Sequence, residues 1–294
     1  GAEEVAELEA AVDVSAAMHL GLLGALRPGW TEKQAAAFVA SRALSEGCSL
    51  SFAPIATLSG HVLHNRPGDA SCSSGGFFLL DAGAERPSGY AGDLTTSFPV
   101  GPRFDSRRAE LYDILLGMFR AATEGLGPGT PFLQVHLRAC IALAEGLKSL
   151  GILTGDPRDA VAEGAHALFF PHGIGHMIGL DVHDMEGMGE DAVGYGSEAR
   201  STQFGLRSLR LAKPLAPGMV HSIEPGIYFI PWLIAAWKKE GRHSAFIDYD
   251  ALEAWKSLGG MRIEEDWLVM ESGARRLGKP IDKSRKAIEA FRGG

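Results

Sequence analysis

The sequence is poor in cysteine and has no excess of positive charge. Its 294 residues include three cysteines, widely spaced and without a Cys-x-x-Cys pair, and the net charge is -8. Such cysteines indicate buried thiols in a reducing compartment rather than a disulfide framework, so the cytoplasm is the expected location. The acidic balance argues against nucleic acid or a membrane surface as a partner.

Long apolar runs are also missing. No run approaches the roughly 18 residues of a transmembrane helix, and the acidic start GAEEVAELEAA is unlike a signal peptide. The chain does not begin with Met, so we interpret Gly1 as a processing remnant. With 46% hydrophobic and 22% charged residues, the length suits one large domain or two small ones with a sizeable core.

The order of predicted elements occurs twice. Helical periodicity covers 4–26 and 106–126, and each segment ends at a Pro-Gly pair, Pro28-Gly29 or Pro128-Gly129. A second helix follows in each half, one capped by Thr31 and running to about 46, the other to about 150. β-rich sequence then follows at 52–85 and at 167–229. This repetition predicts a duplicated α+β unit with a pseudo-two-fold axis; the alternative is coincidence between two common dipeptides.

Two aspartates flank a predicted hairpin turn. Asp81 and Asp93 lie six residues either side of Pro87 in FFLLDAGAERPSGYAGDLTTSFPV. A turn centred on Pro87 would place the two carboxylates opposite each other, with Cβ atoms about 5 Å apart. Like charges so placed repel, and a polyvalent cation between them removes the conflict. The alternative is that either one faces solvent or caps the turn.

Further ligand types follow in the second half. The stretch FFPHGIGHMIGLDVHD, predicted to be a buried strand, holds His172, His176 and His183. Two more predicted strands end in carboxylates, one at Glu224 before Pro225 and one in an acidic triplet, 264–266, whose pattern does not choose a ligand. Oxygen-rich donors suit Mn, Co, Zn or Fe. Four negative charges balance two divalent ions, which favours a two-metal hydrolytic site.

Four segments together resemble the pita-bread metallopeptidases, the creatinase/aminopeptidase fold, and in particular the Xaa-Pro branch of aminopeptidase P and prolidase. They are LLDAGAERPSGYAGDLTTSFPV, FFPHGIGHMIGLDVHD, GLRSLRLAKPLAPGMVHSIEPGIYFI and MRIEEDWLV. The resemblance reaches from the first helix to about residue 282. It implies an α+β fold with pseudo-two-fold duplication, and a curved antiparallel sheet flanked by helices. It also implies one catalytic domain over 1–294, with halves of about 1–105 and 106–282.

The resemblance also assigns residues. It implies two divalent ions, manganese first and cobalt, zinc or iron as alternatives, and short proline-containing peptides as substrates. Glu224 would carry the proton, and His183 and His172 would bind the scissile carbonyl and the tetrahedral intermediate. The implied metal ligands are Asp81, Asp93, His176, Glu224 and Glu264, and the implied substrate residues are His64, His172, His183, Arg210 and Arg262.

Three departures from the family pattern stand out. The step between the two aspartates is twelve residues instead of the family's eleven, so the turn or a bulge must absorb one residue. Thr96 stands where the family has an arginine. The N-terminal domain that most relatives use to shape the pocket is expected to be missing.

Several alternatives stay open. Arg210, which in prolidase-like sequences meets a dipeptide's carboxylate, favours a dipeptidase; the expected open pocket favours aminopeptidase P and longer peptides. Methionine aminopeptidase shares the five implied ligands but fits the motif contexts less well, and creatinase-type hydrolases share the fold but lack the metal ligands that are all present here. A non-catalytic peptide- or protein-binding module is the alternative of another class, and metal analysis separates it from an enzyme. Segment 231–260, with three tryptophans, is predicted to be a packing helix, or alternatively a homodimer contact or pocket wall.

Overall fold

Each half of the chain begins with two helices joined by a Pro-Gly turn, as predicted. In the computed structural model, which describes residues 1–293, these helices are α1 (Ala2–Ala25), α2 (Glu32–Ser45), α3 (Ser106–Thr123) and α4 (Phe132–Ser149). The glycines of the two turns, Gly29 and Gly129, have φ of 93° and 81°. Only glycine adopts this left-handed backbone without steric cost, which explains its place in both turns.

The start of α2 follows its predicted cap. The Thr31 hydroxyl accepts a hydrogen bond from the Gln34 N–H at 3.2 Å, and the Gln34 side chain accepts one from the Thr31 N–H at 2.8 Å. This reciprocal pair satisfies two backbone donors that a helix start otherwise leaves free.

Helix α1 is more apolar than the sequence analysis expected. It contains an 18-residue window with a mean hydropathy of 1.3, long and apolar enough to cross a membrane. Half of that window is buried inside the protein, against the sheet and α2. Core helices of soluble proteins pass the same test, so the finding is weak evidence for a span.

The strands form antiparallel pairs. One sheet has the order β2-β3-β5, a second has β10-β9-β6, and two-stranded ladders join β1 to β4 and β7 to β8. Both long strands of the first sheet, β3 and β5, are buried along their whole length. The strands are β1 (Ser49–Leu50), β2 (Ile55–Thr57), β3 (Phe77–Ala82), β4 (Ala84–Glu85), β5 (Leu94–Pro99), β6 (Val220–Ile223), β7 (Gly226–Tyr228), β8 (Gly260–Arg262), β9 (Glu265–Val269) and β10 (Ala274–Arg276).

The two halves meet where β5 runs beside β8 and β9. Thr95 forms a bridge with Glu264, whose N–H donates to the Thr95 carbonyl at 3.1 Å. The Ser97 hydroxyl donates to the Arg262 carbonyl at 2.8 Å and accepts from the Arg262 N–H at 3.0 Å. Because these contacts join the halves, side chains at the strand ends of both halves come together at this junction.

The remaining helices cover the second half and the C-terminal segment. They are α5 (Pro157–Glu163), α6 (Glu190–Gly194), α7 (Pro231–Glu240), α8 (Tyr249–Leu252) and α9 (Arg285–Gly293), with 3-10 turns at Ala165–Leu168, Glu186–Met188 and Leu206–Ser208. The otherwise irregular segment 187–205 contains the short helix α6. Arg200 forms salt bridges within this segment, from its guanidinium to the carboxylates of Glu190 and Asp191 at 2.5 and 2.7 Å.

The tryptophan segment is not one packing helix: it contains α7 and α8 with turns between them, and only α7 packs as predicted. Trp237 on α7 is buried against Phe204, with ring centroids 5.8 Å apart, whereas Trp232 is 70% exposed. No tryptophan is among the described residues that line the main pocket, so the pocket-wall alternative is wrong.

Candidate metal centre and pocket

Asp81 and Asp93 lie on one face of the first sheet, but not directly opposite each other. Asp81 pairs with Thr95, and Asp93 lies two residues before that partner, which makes the two aspartates diagonal neighbours. The predicted register was wrong because the turn centres on Ser88: the Arg86 N–H donates to the Tyr90 carbonyl at 2.9 Å. The turn thus absorbs the extra residue without a bulge, and side chains two apart still share a face.

The three residues of the acidic triplet contact different partners in the structure. Glu264 faces the junction of the halves, where its carboxylate accepts a hydrogen bond from the Thr95 hydroxyl at 2.6 Å. Glu265 pairs with the buried Lys283 at 2.7 Å. Asp266 accepts from the Asp93 N–H at 2.9 Å. Glu264 is therefore the member that meets the other carboxylates, which the sequence pattern alone left open.

His176 comes from a segment that is extended but not the predicted strand. The segment hydrogen-bonds beside β6, from the Ser222 N–H to the His176 carbonyl at 2.9 Å and from the Ile178 N–H to the Val220 carbonyl at 3.1 Å. The His176 N–H goes to the Ser222 hydroxyl instead of a carbonyl. A Cβ on Gly175 would lie 2.2 Å from the Ser222 carbonyl oxygen, so the close approach of the two backbones requires glycine there.

The His176 ring aims a bare nitrogen at the carboxylates. Its Nδ1–H donates to the Met177 carbonyl at 3.0 Å, which leaves Nε2 without a proton. Nε2 lies 3.5 Å from Asp93 Oδ2 and 3.6 Å from Glu224 Oε1. A lone pair facing carboxylate oxygens is repulsive, and a cation between them makes the arrangement favourable.

We call this cluster the acidic centre (Asp81, Asp93, His176, Glu224 and Glu264). Its four carboxylates share one buried counter-charge, that of Arg262, which is too little to balance them. Burial raises the pKa of Asp81 to about 6 in spite of Arg262. Burial and neighbouring carboxylates raise the pKa values of Asp93 and Glu224 well above their usual range. Oδ1 of Asp81 and Oδ1 of Asp93 are buried without a hydrogen-bond partner. Carboxylate oxygens and one imidazole fit divalent cations, so the donor set matches the metals that the sequence predicts.

The acidic centre forms the floor of a cavity of about 1320 Å³. The cavity brings together every predicted site residue. Besides the acidic centre, its lining includes His64, His172, His183, Arg210 and Arg262. The same wall holds Glu186, which the sequence analysis did not single out.

His172 is held by a chain of hydrogen bonds that the sequence analysis missed. Its Nδ1–H donates to the Gly173 carbonyl at 2.8 Å, and its Nε2 lies 2.8 Å from the Tyr228 hydroxyl. Arg262 donates to the same hydroxyl at 3.1 Å and also pairs with Asp81. Tyr228 therefore links a substrate-site histidine to the acidic centre. Only its place in the EPGIYF motif could have pointed to it.

Arg210 reaches the cavity already paired. Its guanidinium is bound to the carboxylate of Glu186 and lies 3.7 Å from Glu190. Glu186 Oε2 also lies 3.7 Å from Nδ1 of His183, whose ring packs edge-on against His176 at 4.3 Å. A carboxylate thus occupies the position in which a substrate carboxylate is expected.

Thr96 faces away from the acidic centre. Its hydroxyl lies 3.0 Å from Nδ1 of His19 on α1, while Thr95, on the other face of β5, carries the contacts to Glu264 and Arg262. The missing family arginine therefore changes the contact with α1 and leaves the centre's hydrogen bonds in place.

Comparison with known proteins adds three likenesses. Residues 6–271 match the family described as metallopeptidase family M24. An Xaa-Pro dipeptidase of Xanthomonas axonopodis pv. citri (strain 306) is 41% identical over 204 residues, 69% of this chain and 45% of that protein. A probable Xaa-Pro aminopeptidase of Verticillium alfalfae is 34% identical over 314 aligned positions, 99% of this chain and 55% of that protein.

Among solved structures, zinc-substituted Escherichia coli aminopeptidase P in complex with product has a TM-score of 0.82 at 31% identity, covering 100% of this chain and 59% of that chain. This likeness confirms the predicted α+β pita-bread fold. The chain spans about half the length of the curated relatives it matches.

Proposed function

The chain belongs to metallopeptidase family M24, and from that premise we propose that it hydrolyses the bond between an N-terminal residue and a following proline, with dipeptides preferred. The observation that carries the proposal is the acidic centre itself, three buried carboxylates and the partly buried Glu224 around a bare imidazole nitrogen on a cavity floor. Relatives named Xaa-Pro dipeptidase and Xaa-Pro aminopeptidase support the choice of bond.

We assign two divalent metal ions to the acidic centre, manganese first and cobalt, zinc or iron as alternatives. Four carboxylate charges balance two such ions, and the unpartnered oxygens of Asp81 and Asp93 offer them free ligand atoms. When bound, the ions supply a water nucleophile at neutral pH and polarise the scissile carbonyl. Arg262, buried and paired with Asp81, would hold that carboxylate in its orientation.

Glu224 is the group we assign to proton transfer. Its side chain is 17% exposed, compared with 7% for Asp93 and 10% for Asp81, so it is the most accessible of these three to water in the cavity. It would take the proton of the attacking water on a carboxylate oxygen and deliver it to the proline nitrogen as that nitrogen leaves. The nitrogen of an Xaa-Pro bond carries no hydrogen. A peptidase that recognises its substrate through the N–H of the scissile bond therefore cannot cleave an Xaa-Pro bond.

The histidines of the cavity wall would bind the substrate. The His183 side chain is 42% exposed and its Nδ1 is 3.7 Å from the nearest carboxylate, too far for a hydrogen bond, so the ring is free to meet a substrate carbonyl. Both nitrogens of His172 already contact protein atoms. His172 must therefore exchange its contact with Tyr228 to bind the tetrahedral intermediate. His64 lines the same cavity and would contact the substrate beside them.

Arg210 sets the proposed preference for dipeptides. A guanidinium fork binds a carboxylate through two hydrogen bonds, and a dipeptide presents its C-terminal carboxylate at a fixed distance from the scissile bond. A longer peptide has an uncharged amide at that point and gains less from the arginine.

The test compares kcat/KM on Xaa-Pro and on Xaa-Pro-Yaa-Zaa for wild type, Arg210→Ala and Arg207→Ala. Arg207 lies three residues earlier, in the 3-10 turn Leu206–Ser208, and is not among the residues that line the cavity, so it is the matched control. We expect Arg210→Ala to lose about 1.5–3 kcal/mol on the dipeptide, the range for a hydrogen bond to a charged group, and little on the longer peptide. Arg207→Ala should change neither.

One observation favours aminopeptidase P instead. The cavity of about 1320 Å³ exceeds the roughly 300–1,000 Å³ of ordinary ligand pockets, and it has room for residues beyond a dipeptide. Equal losses on both substrates in Arg210→Ala, or a wild type that prefers the longer peptide, would establish this alternative.

We also propose that the protein is cytoplasmic and that it forms a homodimer. All three cysteines are free and buried, in keeping with a reducing compartment. Trp232 on α7 is 70% exposed and is the residue on which self-association would depend. A monomer in light scattering at micromolar concentration would reject the dimer.

A further inference from the structure

A second cluster of metal-ligand types lies away from the acidic centre. His136 and Cys140 are four residues apart on α4, so their side chains share one helix face. His166, in the 3-10 turn Ala165–Leu168, faces them, with its ring centroid 6.2 Å from that of His136. One donor atom from each of the three lies within 4.8 Å of the others. We call these three residues the α4 cluster.

The α4 cluster is fully buried and poorly hydrogen-bonded. All three side chains are 0% exposed. Cys140 Sγ lies 3.2 Å from His136 Nε2, but His136 Nδ1 and both ring nitrogens of His166 have no hydrogen-bond partner. A buried polar group without a partner costs about 1–3 kcal/mol. A histidine with two such atoms is therefore unusual in a core, unless something else binds it.

The distances suit one ion. Ligands at about 2.0–2.1 Å for nitrogen and 2.3 Å for sulfur, spread around a metal, lie roughly 3.5–3.8 Å from one another. The donors of the α4 cluster, within 4.8 Å of each other, need to close by only about 1 Å. Small rotations of three side chains on two neighbouring elements are enough for this.

The donor set and the burial select the kind of ion. A thiolate with two imidazoles is a soft set, without the carboxylates that define the acidic centre. A thiolate and a monovalent cation cancel, whereas a divalent ion leaves one net positive charge in the core, at a cost of several kcal/mol. Three donors also satisfy copper(I), while structural zinc takes four.

We propose that His136, Cys140 and His166 form a binding site for one copper(I) ion, independent of the acidic centre. On binding, the Cys140 S–H bond breaks, its proton leaves to water, and the sulfur electron pair forms the bond to copper. Nothing is oxidised or reduced. Each histidine binds through one ring nitrogen, which gives one of the two unpartnered nitrogens of His166 a partner.

Phe170 lies between this site and the proposed substrate site. The His136 and Phe170 ring centroids are 5.2 Å apart, and the Phe170 and His172 centroids are 4.8 Å apart. Closing the α4 cluster around an ion moves His136, and its nearest aromatic neighbour packs edge-on against His172. Gly205 covers His166 on another side, where a Cβ would lie 3.7 Å from Nε2. The segment around Gly205 is the proposed entry path.

The test titrates copper(I), under anaerobic conditions and against a competing chelator, into the full chain with its acidic centre already loaded. Wild type is compared with Cys140→Ser and with Cys48→Ser, a matched control in which another buried cysteine is changed. We expect one equivalent for wild type and Cys48→Ser. Cys140→Ser should bind at least about a hundredfold more weakly, beyond the 10–100-fold typical when only a partner of a ligand is removed.

X-ray absorption of copper-loaded wild type keeps the test informative if Cys140→Ser does not fold. We expect one sulfur and two nitrogen ligands. Copper bound equally by wild type and a folded Cys140→Ser, copper without a sulfur ligand, or zinc(II) bound more tightly than copper(I) in a Cys140-dependent manner would each overturn the proposal. Loss of peptidase activity in Glu264→Gln with copper binding intact would separate this site from the proposed function.

Discussion

The acidic centre and the α4 cluster bury histidines in opposite surroundings. In the acidic centre, four carboxylates surround His176. The Thr95 hydroxyl donates to Glu264, and Arg262 donates to Asp81 and to the Tyr228 hydroxyl. In the α4 cluster, His136 and His166 lie among apolar side chains such as Phe170, with one thiol. The comparison teaches that burial alone does not define a metal site. The charge and softness of the neighbouring donors determine which ion fits.

The largest expected effect separates Glu264, which belongs to the acidic centre, from its sequence neighbour Glu265, which does not. Glu264→Gln should reduce turnover at least about a hundredfold, the lower range for loss of one charge-stabilising group, and should lower metal occupancy. Asp81→Ala should do the same. Steady-state kinetics and metal analysis on the purified variants check this.

Glu265→Gln is the control because its partner is Lys283 and not the acidic centre. It should keep its metals and lose mainly stability. Full activity with two bound metals in Glu264→Gln would contradict the site assignment.

Metal removal comes next in size. EDTA should inactivate the protein, and manganese or cobalt should restore it. Because ions bind the folded centre preferentially, each site held at a hundred times its dissociation constant adds about 2.7 kcal/mol of stability. Calorimetry with and without chelator measures this, and an unchanged melting curve would count against the acidic centre as a metal site.

The smallest expected effect concerns the stability of the metal-free protein, which Asp81 and His166 should change in opposite directions as the pH falls. Burial raises the pKa of Asp81 to about 6 and lowers that of His166 to about 4. The stability that the protonated Asp81 contributes to the fold is present at low pH and is lost as the pH rises towards 6. The contribution of His166 is present above about 6.5 and is lost as the pH falls towards 4.

Urea unfolding between pH 6.5 and 4.5 measures these slopes. Asp81→Asn should lose stability more steeply than wild type on acidification, and His166→Gln less steeply, each by up to about 1.4 kcal/mol per pH unit. Identical slopes in wild type and both variants would show that the two clusters do not titrate as their burial implies.

Local chemistry explains which parts of the structure the sequence predicted. Thr31 caps its helix through the next few residues, and Pro225 separates β6 from β7 because proline has no N–H to donate. The candidate ligands at 81, 93, 176, 224 and 264 could be predicted because they lie at strand ends or in short motifs.

Long-range pairing explains what the sequence did not predict. The diagonal register of Asp81 and Asp93 depends on how a turn closes, and the choice of Glu264 within its triplet depends on Thr95, 169 residues away. The segment at His176 makes strand-like contacts but does not pair regularly, because the His176 N–H donates to the Ser222 hydroxyl instead of a backbone carbonyl. Tyr228 and Glu186 became visible only once the cavity was formed.

The bridge between Thr95 and Glu264 has a consequence for synthesis. The Asp81–Asp93 hairpin can form early in translation, since its residues are neighbours in the chain. Glu264 and the Lys283 amine that donates to its carbonyl at 2.5 Å arrive much later. A chain still on the ribosome therefore has an acidic centre without Glu264, and the proposed hydrolysis would have to wait until the segment after β8 has emerged and folded back. The order of emergence would thus keep the proposed peptidase inactive until its last candidate ligand is in place.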